Sequence, residues 1–217
     1  MSESAPRYPT AVLASGSGTN LQAVLDSVRA GTLPLDVRLV VSDRVDAYAL
    51  ERARSAGVAT SVMAFAPASQ SRAEYARDLA AAVKRSGARL VLLLGWMHVL
   101  APEFLEAGLD GVLNLHPSFL PDDPSADRVQ LPDGSESPVF RGARALADAL
   151  KAKATVTGAT LIEITPAVDR GPVLARRPFT LRADDTVESA LARLHPVEQE
   201  VVREGVFEWL RRNGRQG

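Results

Sequence analysis

The sequence predicts an α/β fold with a mostly parallel sheet. Three observations carry that expectation. Short apolar runs alternate with helix-period segments through the first half. A glycine-rich turn joins the first strand to the first helix. In the second half two strand-like runs share a short Pro/Asp/Gly connection, which predicts an antiparallel pair added to the sheet. Strands apolar along their whole length belong to sheets with helices on both faces, and crossovers between them are right-handed.

Residues 10–14 read as a buried strand, followed by Ser15-Gly16-Ser17-Gly18 and a helix over about 20–30. Residues 37–42 form a second strand, and 47–55 a helix ending at Gly57. A third strand is expected at 60–64, an amphipathic helix at 71–86 that stops at Gly87, and strands at 89–95 and 111–115. Beyond these, 160–165 and 172–181 read as the antiparallel pair, and 186–212 as mainly helical with a break or kink at Pro196. Residues 122–139 stand apart, rich in Asp, Ser and Pro, with a turn signal at Pro132-Asp133-Gly134 that fits a hairpin tip. Such a segment in a compact domain is either a solvated excursion or functional, as a lid or a subunit contact. One domain over 1–217 is expected, with loose ends at 1–9 and 213–217.

Composition narrows the function classes. The chain has 217 residues, 46% hydrophobic and 24% charged, with a formal net charge of -1 at pH 7. No basic field argues for nucleic acid or a membrane surface. The chain has no Cys, which excludes disulfides, thiolate nucleophiles and Cys-ligated metals. Its three His are scattered, and no metal is expected. Apolar runs such as 90–94 are too short to span a bilayer, and the polar first nine residues do not resemble a secretory signal. A cytoplasmic enzyme, monomeric or homodimeric, is the simplest expectation.

The chemistry-bearing residues cluster at predicted strand ends, where ligands bind in open α/β sheets. Asn114-Leu115-His116-Pro117-Ser118 places an amide and an imidazole two residues apart, on one side of an extended segment. Asp169 precedes Arg170-Gly171-Pro172 in the later turn. An Asn can donate to an oxyanion, a His can shuttle a proton, and an Asp can orient the His. Each residue taken alone is as well explained by a cap, a core histidine or a turn acid.

Gly16-Ser17-Gly18-Thr19-Asn20, between strand and helix, fits a phosphate at a helix N-terminus. A plain strand-to-helix turn is the alternative. A dinucleotide is a rival, with Asp43 as the ribose acid, but Leu21 occupies the place of the third fingerprint glycine. Residues Trp96, Met97, Val99 and Leu100 either line a flat apolar pocket or are ordinary core.

These motifs, with Glu51-Arg52-Ala53 and Gly95-Trp96-Met97, resemble the glycinamide ribonucleotide branch of the folate-dependent formyltransferases over about residues 10–210. The resemblance implies a Rossmann-like domain and direct formyl transfer from 10-formyltetrahydrofolate to the glycine amine of the ribonucleotide. It implies Asn114, His116 and Asp169 as the catalytic trio. It places Gly16, Ser17, Gly18, Thr19 and Asn20 on the ribonucleotide phosphate, with Glu198 near the glycinamide or ribose. It places Arg72, Met97, His98, Val99, Leu100 and Asn114 around the folate. The chain departs from the family pattern in four places: the extra segment 122–139, Arg141 where a Pro is usual, Ile162 where a His is frequent, and Arg170 between Asp169 and Gly171. Other formyl transferases or hydrolases of the superfamily, and a nucleotide-binding module without chemistry, are the alternatives.

Overall fold

The computed structural model describes residues 7–213. The expected loose ends therefore lie mostly outside the described residues. The chain divides into two compact units, residues 1–113 and 114–217.

The first unit is built from β1 (Tyr8–Leu13), α1 (Thr19–Arg29), β2 (Leu35–Ser42), α2 (Tyr48–Ser55), β3 (Ala59–Val62), α3 (Arg72–Arg85), β4 (Leu90–Leu93) and α4 (Pro102–Leu105). Its strands run in the order β3-β2-β1-β4 and all pair in parallel. The last four residues of β1 and all four of β4 are buried, which is why both read as unbroken apolar runs. Helix α1 turns Leu21, Val24 and Leu25 inward, at the spacing of one helical face. Helix α3 begins at a capping box in which Ser71 Oγ accepts from the Glu74 amide and Glu74 Oε2 accepts from the Ser71 amide. Helix α4 has four residues and α5 (Ala145–Lys151) seven, and the sequence reading contained neither. Both are too short to display a helical period.

Strand β5 (Gly111–His116) crosses from the first unit to the second. The second unit continues with β6 (Arg128–Gln130), β7 (Glu136–Pro138), α5, β8 (Val156–Glu163), β9 (Val173–Thr180) and α6 (Val187–Asn213). Strands β8 and β9 form the expected antiparallel pair, Val156 opposite Thr180 and Ile162 opposite Val173. The segment 122–139 is not a bare loop. Its β6 and β7 pair as a hairpin around Pro132-Asp133-Gly134, where Asp133 Oδ1 accepts from the Ser135 amide and hydroxyl. Val129 and Leu131 of the hairpin pack on Phe119, with Val139 and Val156 against them.

Helix α6 corrects half of one expectation, because it runs through Pro196 without a break. Its buried positions Ala190, Leu194, Glu198, Val201, Gly205 and Trp209 continue on one face across the proline. Packing of that face on β8 and β9 offsets the missing amide donor. Among the described residues no helix is long and apolar enough to cross a membrane.

Candidate active site

In the second unit, β5 delivers Asn114 and His116 at its end, and the β8–β9 turn delivers Asp169. The structure brings all three together. Asp169 accepts from Asn114 Nδ2 at 3.5 Å through one carboxylate oxygen. Its other oxygen lies 3.5 Å from His116 Nδ1 and accepts from the Gly142 amide at 2.7 Å. The side chains of His116 and Asp169 are only 4% and 8% exposed, so the pair is shielded from bulk water. His116 Nε2 donates to the Phe140 carbonyl at 2.9 Å. Nε2 is thus hydrogen-bonded, while Nδ1 faces the carboxylate of Asp169.

Local sequence explains how each group is held. Asp169 has φ +53°, a left-handed conformation that Asp tolerates better than most residues. Gly171 is needed two residues on, because a Cβ there would stand 1.6 Å from the Glu163 carbonyl oxygen. The chain leaving His116 is clamped to β8 by buried Thr160, whose hydroxyl donates to the Ser118 carbonyl and accepts from the Leu120 amide. Sequence reasoning missed Thr160, Phe140 and Gly142. The latter two act through their main chain, which leaves no side-chain signature. Glu198 is buried on α6 and accepts from His195 Nδ1 at 2.9 Å, one turn away.

In the first unit, the glycine loop follows β1. The Ser15 amide donates to the Gly95 carbonyl, and Ser15 Oγ accepts from the Met97 amide, so the loop is tied to the segment after β4. Gly18 takes φ +69° at the start of α1, and a Cβ there would meet the Ala49 Cα at 2.7 Å. Both facts exclude a side chain. The first turn of α1 has neither a side-chain cap nor an acidic residue, which leaves its dipole uncompensated for an anion. Ser17 and Thr19 hydroxyls lie 3.1 Å apart at this end. Arg52 braces the loop from α2, with Nε donating to the Ser17 carbonyl at 2.8 Å and Nη1 to Gln22 at 3.2 Å.

Of the expected folate residues, Met97, His98, Val99 and Leu100 follow β4, Arg72 opens α3 and Asn114 lies in β5. Arg72 donates to the Val99 carbonyl and stacks over the Phe65 ring. Arg72, His98, Val99 and Leu100 line one narrow cleft with Phe65 and Tyr75. Met97 is not part of that lining and is 58% exposed. Asp43, the candidate ribose acid, instead meets His98 Nε2 at 3.0 Å. Among the described residues no group of three or more His, Asp or Glu is placed to hold a metal ion.

Residues 9–131 and 133–206 match the formyl transferase family. The chain is 32% identical to the phosphoribosylglycinamide formyltransferase of Schizosaccharomyces pombe, over 91% of this chain and 94% of that protein. It is also 32% identical to the enzyme of the same name from Escherichia coli, over 88% and 81%. Among solved structures, glycinamide ribonucleotide transformylase 1 from Symbiobacterium toebii superposes with a TM-score of 0.80 at 36% identity, covering 93% of this chain and 88% of that one. An α/β fold with a mostly parallel sheet, an antiparallel C-terminal strand pair, and the Asn114, His116 and Asp169 motifs all lie within the matched residues, and the chain belongs to the formyl transferase family, in its phosphoribosylglycinamide formyltransferase branch.

Proposed function

We propose that the chain transfers the formyl group of 10-formyltetrahydrofolate to the glycine amine of 5′-phosphoribosylglycinamide, a step of purine synthesis. The observation that carries the catalytic roles is the single carboxylate of Asp169 set between Asn114 and His116. The amine nitrogen attacks the formyl carbon, and the carbonyl π electrons move to oxygen. Asn114 Nδ2 donates to that oxyanion. His116 adds a second donor by exchanging its Phe140 contact for the reacting oxygen. The attacking nitrogen then loses a proton, and the folate nitrogen gains one as the C–N bond to the folate breaks. Asp169 keeps the imidazole oriented and stabilises positive charge on it during the relay. These steps balance without a metal.

The glycine loop and Asn20 anchor the ribonucleotide phosphate, and Arg72, Met97, His98, Val99 and Leu100 contact the folate. Buried Glu198 receives the polar glycinamide or ribose part. A cytoplasmic enzyme, monomeric or homodimeric, goes with this reading, and light scattering of the purified chain distinguishes the two states.

The test is release of tetrahydrofolate from 10-formyltetrahydrofolate, with and without the ribonucleotide acceptor. Acceptor-dependent release is expected, whereas release without acceptor marks a hydrolase and sinks the proposal. Asn114→Ala is expected to lower kcat about 100-fold or more, the usual loss for one oxyanion donor. Near wild-type turnover in that variant removes Asn114 from the mechanism.

A further inference from the structure

Arg141 belongs to two systems at once. Its flanking peptide groups hold the catalytic pair, the Phe140 carbonyl on His116 and the Gly142 amide on Asp169. Its guanidinium collects the root of the extra hairpin. Nη2 donates to the Ala126 carbonyl at 2.8 Å and reaches the Pro124 carbonyl at 3.5 Å, and Nη1 reaches Asp127 Oδ1 at 3.4 Å. Arg170, next to Asp169 in sequence, takes the same root through the Pro124 carbonyl and Asp127.

This arrangement is costly. The Arg141 side chain is 15% exposed, and its buried Nε has no partner among the described residues. Burial first, and then the Arg170 charge, push its pKa below the ordinary value. A half-buried cation with an orphaned donor is a poor source of stability, and in some proteins such groups serve to fix one geometry.

We infer that Arg141 is a positioning residue, tying the 128–138 hairpin to residues 140–142 so that the seating of the hairpin sets the orientation of His116 and Asp169. The inference rests on the formyl-transfer reading for its kinetic consequence, though its structural consequence is measurable without any reaction.

The test uses the full chain with Arg141→Met, which keeps the apolar stem and removes the donors, and with Arg141→Lys. Long-range ¹H–¹⁵N NMR resolves the imidazole nitrogens of the three His, and the signal lost in His116→Gln identifies His116. In Arg141→Met the His116 Nε2 resonance is expected to lose its hydrogen-bonded position, and Arg141→Lys to restore part of it. By the cost of a misplaced catalytic group, kcat is expected to fall about tenfold to a hundredfold, with KM for the ribonucleotide within about twofold. A folded Arg141→Met with an unchanged His116 signal overturns the inference, and so does a loss of stability with that signal unmoved. If Arg141→Met does not fold, Asp127→Ala removes a partner that is 85% exposed. A smaller His116 shift in the same direction is then expected, and an unchanged signal is again fatal. Failure of the wild-type chain to transfer formyl would refute the proposed function and leave the NMR result standing.

Discussion

Asp169 combines an unusual backbone with a chemical task, and the two separate by substitution. Its φ of +53° is open to Asn at little cost but strained for Ala. Asp169→Asn is therefore expected to spare the backbone but to cost about 1–3 kcal/mol of stability, because its amide can replace only one of the two accepting oxygens. Its kcat is expected to fall on the order of 10⁴-fold, the loss seen when an amide replaces the orienting carboxylate and holds the imidazole in the wrong tautomer. Asp169→Ala should lose activity and, in addition, about 1–2 kcal/mol of stability through the strained backbone. Urea unfolding beside steady-state kinetics checks both, and an active Asp169→Asn ends the assigned role. The side-chain types at this site were legible from the sequence. The Phe140 carbonyl on His116 and the Gly142 amide on Asp169 were not, since any residue can offer its peptide groups.

Helix α3 shows how local signals and tertiary packing divide the work. Ser71, Glu74 and Gly87 mark its ends, and the structure moves Ser71 from first helical residue to N-cap. Tyr75 on its inner face donates to the Met63 carbonyl at 2.7 Å. Burial first, then the Asp43 charge, push the Tyr75 phenol from 10.0 up to about 12. A folded pKa raised above the unfolded one favours the neutral ring. The resulting stability is fully present below pH 10 and is lost as pH rises through about 12. Tyr75→Phe is expected to lower stability at neutral pH by about 1 kcal/mol through the orphaned carbonyl, and to flatten the decline above pH 10. Urea midpoints from pH 8 to 12 check this, with a residual slope expected from Tyr8, whose phenol is also pushed to about 12. An undiminished slope would leave Tyr75 without the assigned role. Helix α6 makes the opposite point, since its proline signalled a break that packing overrides.

At the scale of the molecule we propose that the chain folds as a single cooperative domain. Trp96 and Trp209 are its two tryptophans, one in each compact unit, and both are buried. Unfolding followed through Trp96 in Trp209→Phe and through Trp209 in Trp96→Phe is expected to give transitions that differ only by the cost of each substitution. Broad or well-separated transitions would mean two domains. By itself the sequence determined the α/β class, the main strands and helices, the hairpin tip and the side chains we propose as catalytic. These follow from periodicity, glycine and proline chemistry, and residue type, all of which act over a few neighbours. Only the tertiary structure decided that Asp169 meets Asn114 and His116 across 55 and 53 residues, that Arg141 links the hairpin to that cluster, and that α6 survives its proline. Those outcomes depend on which buried groups must share partners once distant segments pack, and no local pattern records that.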